Sequence, residues 1–439
     1  MARRPKVNDK KPLGNLFNDD APTYPSVLQC MRCGFCLPTC PTYAMTGRER
    51  SSPRGRVALA RAVAEEQLDF TQALKDEAYF CLDCRACTTA CPSGVHAGEV
   101  MEHCRSQAHE AFPPSTPVKA FRNFVLEKML PDPDKLEFSM LPARLYQKLG
   151  IQWLVRQSGI MKIGPDWMAK AEGMIPELHP PLRQQLPEVV PAEGEQRGTV
   201  AFFLGCIMTL MYAEVSRQTV RVLAQQGFEI VTPKAQKCCG APHLNEGDRE
   251  TARQLALHNI ELFLDLEADA IVTDCAGCGA ALKEYEELLE GTADHDKLVA
   301  FKAKVRDVSE FLAEVGLRTE DLEPLDLKVT YHEPCHLCHA QNISRQPRDL
   351  LKSLPGVEYI EMNEASWCCG SAATFGLKFT EESREILDRK LNNVAATKAD
   401  ILVTANPGCH LQLAWGLKEA GMKQPVLHIM ELIGKAVKD

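Results

Sequence analysis

Residues 30–41 read CMRCGFCLPTCP, and residues 81–92 read CLDCRACTTACP. Both stretches follow the pattern C-x₂-C-x₂-C-x₃-C-P, which is typical of proteins that hold a pair of [4Fe–4S] clusters. Three thiolates on one tight loop reach three irons of a cube, and the fourth cysteine of each run serves the other cluster. The proline that follows fixes φ and removes a backbone donor, so the chain turns away there. The two stretches therefore predict two cubane clusters with crossed ligands.

The crossed pattern assigns four ligands to each cluster. One cluster takes Cys30, Cys33, Cys36 and Cys91. The other cluster takes Cys81, Cys84, Cys87 and Cys40. A pair of Cys₄ zinc sites is the alternative, but zinc sites usually combine two C-x₂-C pairs and lack the x₃-C-P ending.

The residues around the two runs predict a helical domain. The runs are offset by 51 residues, which is more than a compact ferredoxin repeat needs. A helix is expected from Pro53 to Leu68 and a short one from Asp76 to Phe80, because apolar residues recur there at helical spacing and proline suits a first turn. We expect a two-cluster ferredoxin domain over residues 26–112, preceded by a disordered tail over residues 1–25. Cys104 lies outside the cysteine patterns and is expected to pack as a small hydrophobic residue.

Four of the arginines between the two cysteine runs lie close together in the sequence. They could screen the negative charge of clusters held by eight thiolates, or they could form an ordinary solvated helix face. The four are Arg48, Arg50, Arg54 and Arg56.

The composition limits the classes of protein that fit the chain. Its 439 residues, 45% hydrophobic and 25% charged, are those of a soluble globular protein with two or three domains. A net charge of −9 argues against nucleic-acid binding. The 19 cysteines fall into metal-ligand spacings without a signal peptide, which indicates a reducing, cytoplasmic compartment. No stretch has 18 uncharged apolar residues, so membrane contact should be peripheral, on the inner face of the cell membrane.

Residues 113–198 are rich in proline and predict a helical linker. Amphipathic patches from Phe121 to Leu130 and from Leu145 to Ile163 lie between the prolines. Such patches could bind a membrane surface or a partner. We expect them to pack on the neighbouring domains.

The second half of the chain is itself duplicated, with offsets of 129, 130, 130 and 134 residues between matching cysteines. Lobe 1 covers residues 199–325 and lobe 2 covers residues 326–439. In each, strands alternate with helices, which predicts a parallel α/β layer with cysteine loops at the carboxyl ends of the strands. The fold class is therefore α+β overall: an all-helical ferredoxin domain followed by two parallel α/β lobes. The matching cysteines are Cys206, Cys238, Cys239 and Cys275 in lobe 1, and Cys335, Cys368, Cys369 and Cys409 in lobe 2.

Lobe 1 has a fifth cysteine, Cys278. Five soft thiolates favour iron–sulfur or zinc over hard cations. Adjacent cysteines diverge, so an irregular cluster fits them better than one small tetrahedral site. In lobe 2 the residue matching Cys278 is Gln412, so a ligand is lost unless Cys338 supplies one, and the sequence favours no complete cluster there. Four histidines near the lobe 2 loops could bind metal or relay protons: His332, His336, His339 and His410.

Taken together, the paired cysteine runs and the two Cys-Cys-Gly lobes resemble the iron–sulfur subunit of glycolate oxidase, from about residue 27 to the end. The cysteine-rich lobes are also similar to those of heterodisulfide reductase, the lactate-utilisation iron–sulfur protein, and the membrane-anchoring subunit of anaerobic glycerol-3-phosphate dehydrogenase. The resemblance implies a subunit that carries electrons from a separate FAD-containing 2-hydroxy-acid dehydrogenase subunit to a quinone-type acceptor. By analogy with heterodisulfide reductase, the five cysteines of lobe 1 could hold a non-cubane cluster.

Two other functions compete with this expectation. A reductase would use the centre of lobe 1 to reduce a disulfide or a similar acceptor directly, as a heterodisulfide reductase or lactate-utilisation subunit would. A zinc-stabilised scaffold would carry no electrons. The sequence has no G-x-G-x-x-G opening a helix after a strand, so we expect the flavin in the partner.

Overall fold

The computed structural model describes residues 20–113, 115–159, 172, 173, 175 and 177–438. They form two compact units. The first contains the described residues up to Arg122 together with Pro242–Thr251, and the second contains Asn123–Ala241 and the chain from Ala252 onward. Residues 1–19 of the expected tail lie outside the described residues, and a first helix begins at Tyr24.

The first unit is built from helices around a small apolar core. The helix Pro53–Ala64 starts with proline and is capped by Ser52, whose hydroxyl accepts from the Gly55 amide. Its buried face packs against the helix Ala97–Ala111, and Cys104 lies fully buried in the same core, as expected. The helices of residues 20–123 are Tyr24–Leu28, Pro41–Thr46, Pro53–Ala64, Gln72–Tyr79, Ala86–Thr89, Ala97–Ala111 and Thr116–Asn123, with one 3₁₀ turn at Glu49–Ser51.

The helix predicted to run to Leu68 ends four residues earlier, at Ala64. Glu66 adopts a left-handed backbone conformation with φ of 60°, and the amides of Gln67 and Leu68 both bond back to the carbonyl of Ala62. These bonds close the helix, so Leu68 lies on a turn and not on the apolar face.

The proline-rich segment forms a series of short helices, as its amphipathic patches predict. Phe121 and Trp153, one from each patch, are 70% and 64% exposed, and Phe138 between the patches is 74% exposed. The expected packing of the patches on the neighbouring domains stays a prediction. Residues 160–163 of the second patch lie outside the described residues. The helices are Phe124–Met129 (a π-helix), Pro133–Ser139, Leu141–Lys148, Ile151–Ser158 and Leu182–Gln185.

Each lobe contains one sheet of parallel strands, which confirms the predicted fold class. The sheet of lobe 1 has the order β1-β3-β2-β4-β5, in which the short β1 is antiparallel, and that of lobe 2 has the order β7-β6-β8-β9. The central strands β4 and β8 are fully buried, as parallel strands covered on both faces are. The strands are β1 Val189–Val190, β2 Gly198–Phe202, β3 Phe228–Val231, β4 Ala270–Thr273, β5 Val305–Asp307, β6 Leu327–Tyr331, β7 Val357–Ile360, β8 Ile401–Thr404 and β9 Val426–His428.

The helices of the lobes cover the sheets and join the two lobes. Ala213–Gln225 of lobe 1 packs along Ile429–Ala436 of lobe 2. No helix among the described residues combines the length and the hydropathy that crossing a membrane requires. The helices are Cys206–Met211, Ala213–Gln225, Ala241–Glu246, Arg249–Leu264, Ala276–Lys283, Tyr285–Leu288, His295–Lys304, Val308–Val315, Cys335–Cys338, Arg345–Ser353, Phe375–Lys378, Thr380–Thr397, Pro407–Glu419 and Ile429–Ala436.

Candidate metal centres

The two cysteine runs of the first unit have the same backbone shape. The third residue of each run has a left-handed φ, 58° at Arg32 and 50° at Asp83. The fifth residue does too, with 89° at Gly34 and 59° at Arg85. Two left-handed residues around the second cysteine curl each run into a tight loop, so the duplication seen in the sequence is also a duplication of local structure.

Each loop lines a cavity. Five of the predicted ligands border the cavity at the first run, and four border the cavity at the second run. In each case the fourth cysteine comes from the other run, which is what crossed ligation requires, and Cys87 borders both cavities. Cys30, Cys33, Cys36 and Cys91 line the first cavity, and Cys40, Cys81, Cys84 and Cys87 line the second.

Backbone amides already point at the sulfur atoms of these loops. The amide of Asp83 donates to Cys81 Sγ at 3.4 Å, and that of Val95 donates to Cys91 Sγ at 3.3 Å. The hydroxyl of Thr42 lies 3.3 Å from Cys40 Sγ. Such hydrogen bonds stabilise thiolates and are among the factors that set the potential of an iron–sulfur cluster.

Two of the arginines named above lie at the cavities. Arg56 is buried, and its Nη1 lies 4.0 Å from Cys40 Sγ and 3.0 Å from Thr42 Oγ1. Arg54 lines the first cavity and donates to the carbonyl of Arg32. Arg48 and Arg50 are exposed. Arg54 and Arg56 are therefore placed where they would screen the charge of a bound cluster, whereas Arg48 and Arg50 belong to a solvated face.

A buried network of charges fixes the second run onto the helix Ala97–Ala111. The guanidinium of Arg85 contacts Asp83 at 2.6 Å, Glu99 at 2.9 Å and Glu102 at 3.0 Å. Burial raises the pKa of the Asp83 carboxyl, with the Arg85 guanidinium opposing it. Gly98 faces this pair, and a Cβ there would lie 2.4 Å from an Asp83 oxygen. No motif or spacing in the sequence indicates this network.

In lobe 1 the five predicted cysteines form one continuous series of contacting sulfur atoms. Cys206 is hydrogen-bonded to Cys238, and Cys238 is hydrogen-bonded to Cys239. Cys239 Sγ lies 3.4 Å from Cys278 Sγ, and Cys278 also contacts Cys275. Hydrogen bonds from Cys238 and Cys278 lower the pKa of Cys239 to about 6, and its bond to Cys239 raises the pKa of Cys278. A bound metal would replace these shared protons, because metal binding deprotonates thiols.

The Cys-Cys-Gly turn of lobe 1 is held by groups outside the motif. Tyr285 donates its hydroxyl to the carbonyl of Cys239 at 2.9 Å, and Asn259 donates to the carbonyl of Cys238 at 3.0 Å. Gly240 has a φ of +85°, a conformation that glycine adopts without strain. Two hydrogen bonds and the backbone conformation of Gly240 therefore hold the turn.

In lobe 2 the four matching cysteines also form a series, from Cys335 through Cys368 and Cys369 to Cys409. Gln412, which stands where lobe 1 has its fifth cysteine, is buried and donates to Ser383 Oγ at 3.0 Å. The thiol of Cys338 points at the carbonyl of Cys335, at 3.9 Å, and not along the series.

The histidines near the lobe 2 loops have different surroundings. His410 stacks edge-on against Tyr212, with ring centroids 4.9 Å apart, and burial lowers its pKa to about 4. His332 is buried beside Cys369 and Cys409, with the ligand atoms of the three residues all within 4.8 Å of one another. His332 is therefore the histidine that the structure places beside two of the predicted cysteine ligands.

Sequence reasoning missed two residues that interact with the cysteines of the lobes. The side-chain oxygen of Asn406 accepts from the Gly277 amide at 3.1 Å and lies 3.9 Å from Cys275 Sγ, while its amide nitrogen lies 3.6 Å from Cys409 Sγ. Asn406 therefore joins the two lobes at their sulfur atoms. Lys390 is buried and acts electrostatically on the cysteines of lobe 2.

The donor chemistry fits iron–sulfur clusters in the first unit and a soft metal centre in lobe 1. Four thiols around each cavity, amides aimed at sulfur and nearby cations supply ligands, hydrogen bonds and charge compensation. Clusters bound there would accept and release single electrons, while the protein positions them.

Comparison with known families matches four segments of the chain. Residues 26–95 match the family "4Fe-4S dicluster domain", and residues 200–283 and 329–414 each match "Cysteine-rich domain". Residues 117–175 match "Glycolate oxidase iron-sulfur subunit, linker region".

Individual relatives extend over nearly the whole chain. A probable glycolate oxidase iron–sulfur subunit of Bacillus subtilis is 38% identical over 418 residues, covering 93% of this chain and 94% of the relative. The glycolate oxidase iron–sulfur subunit of Escherichia coli is 31% identical over 429 residues, with the same coverage. Lactate utilization protein A of a Geobacillus species is 33% identical over 236 residues, covering 53% of this chain and 98% of the relative.

Proposed function

The chain belongs to the family of glycolate oxidase iron–sulfur subunits, and from this we propose that it carries electrons from a flavoprotein that oxidises glycolate or a related 2-hydroxy acid to a quinone-type acceptor. It is an electron-transfer subunit of an oxidoreductase. In our proposal the FAD is held by the partner subunit, and this chain does not oxidise the acid by itself.

The pair of cysteine-lined cavities with a common wall is the observation that carries the proposal. Because Cys87 borders both cavities, clusters bound in them would be neighbours, as stepwise electron transfer requires. We propose that the eight cysteines of the two runs bind two [4Fe–4S] clusters with crossed ligands. The five cysteines of lobe 1 would bind a further, non-cubane cluster.

The first cavity offers a place for a redox partner to dock. Cys33 is exposed, and Met31 and Phe35 on either side of it are 69% and 67% exposed. Apolar side chains around an exposed cluster ligand are suited to a protein contact that brings a second cofactor close. We propose that the flavoprotein docks here.

The exposed apolar side chains of the proline-rich segment support peripheral membrane contact, where a quinone would be found. Phe121, Phe138 and Trp153 are exposed on short helices that also carry Lys119, Arg144 and other basic residues. Helices with an apolar face and basic flanks lie in the plane of a membrane interface.

Co-purification tests this function. The chain is purified anaerobically from its host with an affinity tag, and the copurifying proteins are identified. The proposal expects a flavoprotein, bleaching of the brown complex by glycolate or a related 2-hydroxy acid, and electron delivery to a quinone analogue. Oxidation of the acid by the isolated chain, or bleaching by no such acid, would overturn it.

A cavity beside the sulfur atoms of lobe 1 favours a second candidate, direct reduction of a disulfide or similar acceptor. This cavity is lined by Cys206 and Cys238 together with Leu136, Arg183 and Lys237. Substrate bound there would change the spectrum of the lobe 1 centre. Cys238→Ser would then abolish turnover while the two cubanes remain, whereas simple electron transfer predicts no spectral response to a disulfide.

A further inference from the structure

We propose that His332 is a metal ligand, and that lobe 2 binds a single tetrahedral ion of the zinc type through His332, Cys369 and Cys409. The three ligand atoms all lie within 4.8 Å of one another, and all three residues are buried. This site is separate from the clusters proposed for electron transfer, and it does not depend on the proposed function.

The two lobes show how His332 offsets a lost ligand. The residue at the matching position of lobe 1 is Phe203. The amide of Phe203 donates to the carbonyl of Val272 at 2.8 Å, and the amide of His332 donates to the carbonyl of Val403 at 2.8 Å. The same backbone position therefore holds a phenyl ring in lobe 1 and an imidazole in lobe 2.

The exchange of ligands is reciprocal. Lobe 1 has Phe203 at the end of its strand and Cys278 in its last loop, whereas lobe 2 has His332 and Gln412 at these positions. Gln412 is turned away into a hydrogen bond with Ser383. Each lobe thus keeps five candidate donors, but one of those in lobe 2 is a nitrogen.

The imidazole of His332 has polar atoms without protein partners. The residue is 1% exposed, and neither Nδ1 nor Nε2 makes a hydrogen bond among the described residues. A buried polar side chain without a partner carries the full cost of its lost hydration. A metal ion bound to one ring nitrogen removes part of that cost.

The spacing of the donors fits a single ion. In a tetrahedral site with Zn–S bonds of about 2.3 Å and Zn–N bonds of about 2.0 Å, neighbouring ligand atoms lie roughly 3.5–4 Å apart. The observed limit of 4.8 Å is close to this value. The terminal ligands of a cube, bound to different irons, must lie farther apart. Cys335, Cys368 or a small exogenous ligand would fill the fourth position.

The surroundings compensate the charge that such a site would carry. Lys390 is buried, donates to the carbonyl of Ala365 at 3.0 Å, and acts electrostatically on Cys369 and Cys409. A cation held beside two thiolates lowers the cost of keeping them ionised in the interior.

Metal analysis of the full chain tests the proposal. The wild type, His332→Phe and His332→Cys are purified anaerobically, and zinc, iron and acid-labile sulfide are counted per chain. Phenylalanine is chosen because it fills the matching position in lobe 1, and His336→Gln on the helix Cys335–Cys338 is the matched control. We expect His332→Phe to lose one zinc ion per chain with iron and sulfide unchanged, and both His332→Cys and the control to retain it.

A measurement on the wild type keeps the proposal testable if a variant fails to fold. X-ray absorption at the zinc edge should show a mixed shell of sulfur and nitrogen. Cobalt(II) added in place of zinc should give the strong visible bands of tetrahedral thiolate coordination. A shell of sulfur only, zinc content unchanged in a folded His332→Phe variant, or sulfide bound in lobe 2 would overturn the proposal.

Discussion

Replacing Arg56 with methionine should lower the reduction potential of the cluster that binds Cys40 by about 80 mV. Arg56 is 2% exposed, and its Nη1 lies 4.0 Å from Cys40 Sγ. Two unit charges 4 Å apart interact by about 4 kcal/mol at an effective dielectric of 20. The added electron is spread over the cube, whose centre is roughly twice as far away, so about 2 kcal/mol remains. A tenfold change in an equilibrium constant is about 1.4 kcal/mol and equals about 59 mV for a one-electron couple. The remaining 2 kcal/mol, roughly, therefore corresponds to about 80 mV.

The sign follows from the charge of the reduced cluster. Reduction adds negative charge, which Arg56 stabilises, so removing the cation disfavours the reduced state and lowers the potential. Glu77, which also contacts Arg56 at 3.7 Å, keeps a second cation in Arg50 at 3.0 Å. The variant therefore does not leave that carboxylate without a partner.

A redox titration followed by electron paramagnetic resonance measures the effect. Arg61→Met is the matched control, because Arg61 lies on the same helix but pairs with Glu65 near the surface. Arg56→Lys keeps the charge and should shift the potential by less than half as much as Arg56→Met. The reasoning is refuted if Arg56→Met leaves both clusters unchanged, or if Arg61→Met shifts them equally.

Three further predictions concern the first unit. Cys91→Ser should convert the cluster of the first cysteine run to a three-iron form, visible by paramagnetic resonance of the oxidised protein; damage to the other cluster instead would contradict crossed ligation. Gly247→Ala should destabilise the unit by more than about 2 kcal/mol in denaturant unfolding, because φ is +83° and a Cβ would lie 2.4 Å from the carbonyl oxygen of Arg105. Gly94→Ala is the control and should cost less, because nothing lies within 4 Å of its Cβ. Equal costs for the two variants would refute the contact. Burial lowers the pKa of His103 from 6.5 to about 4. The free energy of unfolding should therefore fall by up to about 3 kcal/mol as the pH drops from about 6.5 to 4, because the unfolded chain takes up the proton first. His103→Asn should flatten this dependence, and an equally steep loss in the variant would refute the reasoning.

The cysteine patterns predicted the order of a ferredoxin domain and two cysteine-rich lobes, because ligand spacing is a local property of the chain. The duplicated lobes and their parallel sheets followed from the alternation of strands and helices, and the structure confirms them. The strands β1, β5 and β9 have two or three residues each and no long apolar run, so no sequence pattern indicates them. The expected packing of the amphipathic linker patches on neighbouring domains also stays a prediction, because periodicity shows that a face is apolar without showing what covers it.

The groups around the cysteines needed coordinates. Nothing in the sequence distinguishes Arg56 from Arg50, since burial depends on the partner helix. His332 was one of four candidate histidines, and only the position at the end of β6 shows that it faces Cys369 and Cys409. The alignment of the two lobes carried a usable signal, namely the replacement of Phe203 by a histidine where the fifth cysteine is missing. The ligand assignments themselves stay predictions.

Iron and sulfide analysis of the anaerobically purified chain tests the central claim most directly. The account predicts a brown protein with enough iron and acid-labile sulfide for at least two [4Fe–4S] clusters. After reduction with dithionite, its paramagnetic resonance should show two neighbouring, magnetically interacting clusters. A colourless chain that contains zinc in place of iron, has no sulfide and gives no signal after reduction would contradict it.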